Sequence, residues 1–467
     1  MVWSRLPRRV WAAALVVALA VTLTSGGRAQ AAEVTRVVSA LDDDNRFDLN
    51  LTVSWLHEAK SAFIKRESQS ALAPVTELIK DLKYQQTRDL FNFRADFGVL
   101  RDLGFHIEAP LVVSDQRSLD FDQSEGNLCI YPGDPGGRPN CVNEQNSTLL
   151  RDGILPGAGQ PSYGLDAPHA RPFMRPSPRV FQGPKRSGFE SLGAGLTWAI
   201  FNQARDDTKP TWTLGFVSKF DVGAAMRFDP AKPNDNTAVG LGYHQFIWST
   251  TVSKRFRYFD PYFGMWYMLP ARTNGSPFER YPAAGQTTVG VQQRAGLQLG
   301  VEYVAWEKPP LRQRVTIELR GRAEQRFFGR SHSELWEALS GSSACRTDQT
   351  KCRPGLDEDL NGDGRPDPYP GVTETQAYAV FGGDVGLNVQ VGRYVRFRGL
   401  FGLTVDLPHF ITFAGAGVDT NNDGRVDSNS PAEANPVYRE AIDLPGRRFK
   451  VEGTQIWTLV LEGSVMF

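Results

Sequence analysis

Along most of the chain, apolar and polar side chains alternate one by one. That is the period of an extended strand whose two faces meet different surroundings. In segment 47–55, Phe47, Leu49, Leu51, Val53 and Trp55 alternate with Asp48, Asn50, Thr52 and Ser54. In 91–99, Phe91, Phe93, Ala95, Phe97 and Val99 alternate with Asn92, Arg94 and Asp96. In 395–407, Val395, Phe397, Phe401, Leu403, Val405 and Leu407 alternate with Arg396, Arg398, Thr404 and Asp406. The pattern recurs at 103–113, 192–200, 212–220, 246–252, 295–303, 315–323, 381–391 and 457–467. Segment 258–268 is aromatic on both faces, so its register stays open. These segments predict about twelve strands.

The connections between them sort by length. After odd-numbered strands they are long: 58–89, 115–187, 222–242, 270–290, 328–376 and 408–452. After even-numbered strands they are short: 100–102, 203–211, around Arg257, 307–312 and Gly392 with Arg393. Short turns on one side and long loops on the other are the habit of outer-membrane barrels, as is an even strand count. A soluble sandwich rarely sustains alternation in which charged residues partner the apolar ones. The expected fold is therefore all-β: an antiparallel up-and-down transmembrane β-barrel of about 12 strands with long extracellular loops. Segment 71–89 could add a helix or a further hairpin, which would make 14.

Composition agrees with strands as the crossing elements. Mean hydropathy is −0.34, too polar for a bundle of membrane helices, each needing roughly 20 consecutive apolar residues. The 52 basic and 52 acidic residues balance, so the basic footprint of a nucleic-acid binder is missing. The one long apolar run is N-terminal. Arg5, Arg8 and Arg9 precede an apolar stretch from Trp11 to Leu23, and Ala29-Gln30-Ala31 follows as a small-x-small cleavage site. Residues 1–31 read as a signal peptide, leaving 32–467 as the barrel, with the mature chain starting at Ala32.

The chain ends in Trp457-Thr-Leu-Val-Leu-Glu-Gly-Ser-Val-Met-Phe467. This resembles the last strand of Gram-negative outer-membrane β-barrel proteins, porin-like in general architecture. The resemblance covers residues about 46–467 and singles out no one barrel family. It implies outer-membrane lipid as the surroundings, and recognition of the strand ending in Phe467 by the barrel-assembly machinery.

Four cysteines form two close pairs, Cys129 with Cys141 and Cys345 with Cys352. In an exported protein they are expected as two disulfides in external loops. Neither pair has the spacing of a zinc site. Two further loop segments, 359–367 and 419–427, resemble the calcium loops of thrombospondin type 3 and dockerin-like repeats. The first offers Asp359, Asn361, Asp363 and Asp367 around Gly364; the second offers Asp419, Asn421, Asp423 and Asp427 around Gly424. Hard cations want such alternating oxygens with a glycine at position six. Both segments lack the bidentate Glu at position twelve, where Pro370 and Ser430 stand. Weak Ca2+ sites are expected.

The polar faces of the strands carry both signs. Arg94, Arg294, Arg320, Arg322, Arg396 and Arg398 are expected to line the lumen with Glu318, Asp384, Asp406 and Glu462. Two arrangements remain open: opposed charged rows that tune an aqueous pore, or salt bridges that close a narrow barrel. His332 with Ser331 and Ser333, and His106 with Glu108, lack an evident nucleophile arrangement, so no enzyme is expected. The reading is a passive porin or channel for small polar solutes; the alternative is a closed structural or adhesion barrel displaying calcium-stabilised loops.

Overall fold

Twelve long antiparallel strands form where the alternation predicts them. In the computed structural model, which describes residues 32–41, 48–69, 76–122, 179–228, 234–278, 285–288, 290–340 and 370–467, they are β1 (Leu49–Gln69), β2 (Thr76–Leu100), β3 (Leu103–Phe121), β4 (Leu192–Phe201), β5 (Thr211–Phe220), β6 (Tyr243–Ser253), β7 (Phe259–Arg272), β8 (Arg294–Lys308), β9 (Gln313–Arg326), β10 (Tyr378–Val391), β11 (Val395–Asp406) and β12 (Phe449–Met466). Each pairs with its neighbours in the chain, and β1 closes on β12 from Asn50↔Met466 to Arg66↔Phe449. Closure removes the sheet edges that an open sheet would expose. The cysteine pairs and segment 359–367 lie outside the described residues.

Within the belt, odd positions of β1, β7, β8, β9, β10, β11 and β12 point outward. Leu51, Phe263, Leu299, Leu319, Val385, Phe401 and Leu461 all lie on the exposed face, forming an apolar belt far larger than a water-soluble protein carries. No helix among the described residues is long and apolar enough to cross a membrane; the strands supply the span. The open register of the seventh strand settles with Phe263, Met265, Tyr267 and Leu269 outward and Tyr262 and Met268 buried inward.

At one end the connections are tight. Asp102, Arg257 and Arg312 take left-handed backbone angles there, with φ of 58°, 57° and 51°, as does Gly392 at 74°. Such angles strain a residue with a Cβ, yet three of these five connections hold one.

At the other end, the connection expected over 58–89 is not a loop. β1 and β2 run on through it as one continuous hairpin, paired as far as Gln69↔Thr76. The strand count is therefore twelve. In this extension the polarity of the two faces inverts. Below, the inner face carries Thr52, Glu58 and Lys60; above, it carries Ala62, Ile64, Leu82 and Tyr84, all buried. β12 reaches the same arrangement through a bulge opposite Ala62, where Gly453 has φ 61°. The extra residue turns Phe449 and Val451 inward.

These inward side chains meet the end of β3 and loop residues that fold over the barrel mouth. Leu119, Phe121, Phe181, Phe228, Ile411 and Ile442 join them around a short helix, Trp336–Leu339, whose residues are all buried. The long-loop end thus carries a core of soluble-protein type.

Candidate functional site: the barrel lumen

Small residues let large ones lie flat on the inner wall. Tyr262 on β7 crosses Gly300 on β8 so closely that a Cβ there would stand 2.5 Å from its ring. Its hydroxyl thereby reaches β9 and donates to Glu318 Oε1 at 2.5 Å. From the other side, Arg398 on β11 donates to Glu318 Oε2 at 2.7 Å. Glu318 is fully buried, so both its oxygens are held.

The neighbouring wall repeats the arrangement. Asp384 on β10 accepts from Arg320 Nε at 2.8 Å and from Arg322 at 2.9 Å. Arg396 lies 3.8 Å from Glu462. Arg94 pairs with Asp96 at 2.6 Å, and Lys219 with Glu108 at 2.8 Å. Asp406 stands 3.7 Å from Lys60, which binds Glu334 more closely at 2.7 Å. Arg294 sits on the same inner wall, opposite Met268 and Arg326 in the ladders. Of the ten residues expected to line the lumen, the structure brings nine into ion pairs. Opposed rows of uncompensated charge do not form among these residues: each of these acids finds a base on its own strand, the adjoining strand or the next but one. Lumen space remains beside the pairs, since the side chains of Arg94 and Arg322 keep 36% and 38% of their surface free.

Both mouths are occupied. At the tight-turn end, residues 32–41 lie across the lumen. Ala40 donates its N–H to Leu100 O at 3.1 Å, and Asp102 donates to Ser39 Oγ at 3.0 Å, which fixes this stretch beside the β2–β3 turn. A short helical turn, Glu33–Thr35, reaches the far wall. There Thr35 Oγ1 meets Ser253 Oγ on β6 at 2.6 Å, Glu33 pairs with Arg396, and Arg36 contacts Met466.

At the long-loop end, the Trp336–Leu339 helix is pinned by Arg186. This buried guanidinium donates to Glu337 Oε1 at 2.9 and 2.7 Å and to the carbonyls of Arg227, Asn236 and Ala238. Burial pushes the Glu337 carboxyl up, and Arg186 only partly offsets that. Burial also raises the nearby Glu334, but Lys60 wins and holds it at about 2. His332 packs against Phe278 and Trp336. Burial, with Arg117 and Arg186 near, drives its imidazole down to about 3.

The Glu33, Lys60, Tyr262, Arg186 and Glu337 contacts were not foreseen from sequence. Tyr262 lies in the segment that is aromatic on both faces, and Lys60 in a stretch expected as a loop, so alternation assigned neither a facing. Glu33 and Glu337 fall in segments without alternation, where no periodicity assigns a facing.

The 419–427 segment is an exposed turn organised by its own carboxylates. Asp419 accepts from the N–H groups of Asp423 and Gly424 at 3.2 and 2.8 Å, and Asp423 N–H also donates to Asn421 at 2.8 Å. Asp427 donates its N–H to Glu433 at 3.0 Å. Among the described residues no three His, Cys, Asp or Glu side chains gather as a metal set. Outside the barrel wall, an apolar groove of about 620 Å³ runs past Ala109, Phe189, Leu192, Val222 and Val239.

No protein-family model matches the chain, and no curated protein matches it in sequence. Among solved structures, an outer-membrane channel from Pseudomonas putida F1 is similar at TM-score 0.36 and 9% identity, over 89% of this chain and 95% of that one. The outer-membrane protease OmpT of Escherichia coli follows at TM-score 0.28 and 7% identity, over 93% and 100%. A Pseudomonas aeruginosa FadL homologue has TM-score 0.28 and 8% identity, over 90% of each chain. At these scores the likeness is one of barrel architecture alone.

Proposed function

We propose that this chain is an outer-membrane channel of restricted bore that passes small polar solutes between opposed mouths. The observation that carries the reading is the lumen wall: polar, ion-paired, and still open to solvent at Arg94 and Arg322. A barrel with no transport role could fill this space with packed side chains, as small barrels do. The tight turns then face the periplasm and the long loops the outside.

The test is single-channel recording of the full chain in planar bilayers. A small conductance is expected, with Arg322→Glu shifting selectivity toward cations. Silence under all voltages would remove the channel reading and leave the closed, surface-displaying barrel. The inward core around Trp336 favours that second reading, because it covers the outer mouth.

The external turn at 419–427 supports a weak calcium site on the same surface, with Asp419, Asn421, Asp423 and Asp427 as oxygen donors. A dissociation constant of about 10⁻⁴–10⁻³ M is expected, the range of extracellular modules. Calcium should slow protease cleavage within 408–452 relative to chelator. Equal cleavage in both, with no calcium retained, would leave a plain turn built on side-chain acceptors.

A further inference from the structure

The wall facing the N-terminal segment holds more acid than base. Asp260 on β7 and Glu302 on β8 stand directly opposite one another in the ladder. Both are fully buried. Like charges in that relation repel, and burial without a partner is costly. Among the described residues neither oxygen of Asp260 has a hydrogen-bond partner, and Glu302 Oε2 lacks one as well. Arg314 stands 3.6 Å from Glu302. The other nearby bases are engaged: Arg396 with Glu33, Arg398 with Glu318 and Arg255 with Glu307.

What lies against these two carboxylates is the start of the lumen segment. Glu33 donates its backbone N–H to Glu302 Oε1 at 2.8 Å. The backbone N–H of Ala32 lies near Asp260 without completing a hydrogen bond to it. Ala32 is fully buried, and its carbonyl accepts from Thr35 at 3.1 Å, which holds the nitrogen in place. An amide nitrogen offers this wall one weak dipole. A terminal amine would offer three N–H donors and a full positive charge at the same point.

We infer that Asp260 and Glu302 form a binding seat for the free α-ammonium of Ala32, so that removal of residues 1–31 supplies the cation the wall lacks. The step is hydrolysis of the 31–32 peptide bond. Water adds across it, Ala31 leaves with a carboxylate, and Ala32 keeps the amine, which takes a proton. The catalyst belongs to the class of leader peptidases that cut after small-x-small sequences such as Ala29-Gln30-Ala31. Processing then does more than release the chain: it makes the ligand that locks residues 32–41 across the lumen.

The test uses the full chain expressed with its leader and purified from outer membranes. Intact mass and N-terminal sequencing should give a chain starting at Ala32; a start elsewhere overturns the inference. An amine reagent used near neutral pH, where it favours α-amines over lysines, should modify Ala32 at least tenfold more slowly in the folded barrel than in the denatured chain. Equal rates overturn it. In an Asp260→Asn, Glu302→Gln double variant the protection should fall severalfold, and unchanged protection also overturns it. Should the double variant fail to close, as heat-dependent gel mobility reports, a second variant decides. Two extra residues placed before Ala32 leave every wall residue intact but move the ammonium off its seat. That chain should lose amine protection and be cut by trypsin after Arg36; continued protection of both would overturn the seat. None of these readouts depends on conductance.

Discussion

Single residues in this barrel answer to two solvents. On the outside, Leu299 is 58% exposed and faces the apolar belt. Leu299→Arg should cost about 2–4 kcal/mol if that belt sits at the bilayer midplane. Urea titration of the barrel in lipid, read by tryptophan fluorescence, checks this; a cost near zero would mean the face is wet. On the inside, charges survive only as pairs. Glu337→Ala would leave Arg186 buried with carbonyls alone, and removing one partner of such a pair costs about 3–5 kcal/mol. The expected outcome is a loosened loop cap over an intact barrel: faster proteolysis near 336–339, with heat-resistant mobility unchanged. A variant that protects the helix as well as the parent would show that the three carbonyls suffice for Arg186. The inner charges were legible in the sequence because they recur at every second position. Their pairing was not, since it depends on ladder register and on which neighbour is a glycine.

At the scale of elements, the alternation carried all twelve strands but lost their upper ends. The reason lies in β1 and β12. Where β1 leaves the belt, apolar residues pass from the outer face to the inner one, from Leu51, Val53 and Trp55 to Ala62 and Ile64. In β12 the bulge at Gly453 shifts the phase again. A rule that seeks one apolar phase per strand stops at both places and reads a loop. The cap that these ends support has its own titration. His332 is held neutral, with its imidazole lowered to about 3 from an unfolded value near 6.5. A group whose charged form is disfavoured in the fold withdraws stability as pH falls through its unfolded value. The cap should therefore weaken progressively below about pH 6.5, by on the order of 2 kcal/mol at pH 5. Hydrogen exchange over 332–339, corrected for the intrinsic pH effect, should show this. In His332→Phe, which keeps the ring contacts with Phe278 and Trp336, the acid-dependent opening should disappear. Its persistence would assign the effect to other groups.

For the molecule as a whole, the two ends differ in kind. One mouth is covered by a many-residue core drawn from several loops, the other by a single short run of chain. The second was invisible in the sequence: residues 32–41 show no periodicity, and many of their partners are hundreds of positions away. Those partners have a consequence for how the barrel is made. Thr52 bonds Ser464 across the seam, a separation of 412 residues, and contacts so distant form slowly because a very long loop must close first. The segment that lies across the tight-turn mouth leans on Ser253, Glu302, Arg396 and Met466, residues from the middle and the very end of the chain. Its resting place does not exist until the last strand has joined the first. The N-terminus, first to be synthesised, is thus the last part that can settle, and its settling reports that the ring is whole.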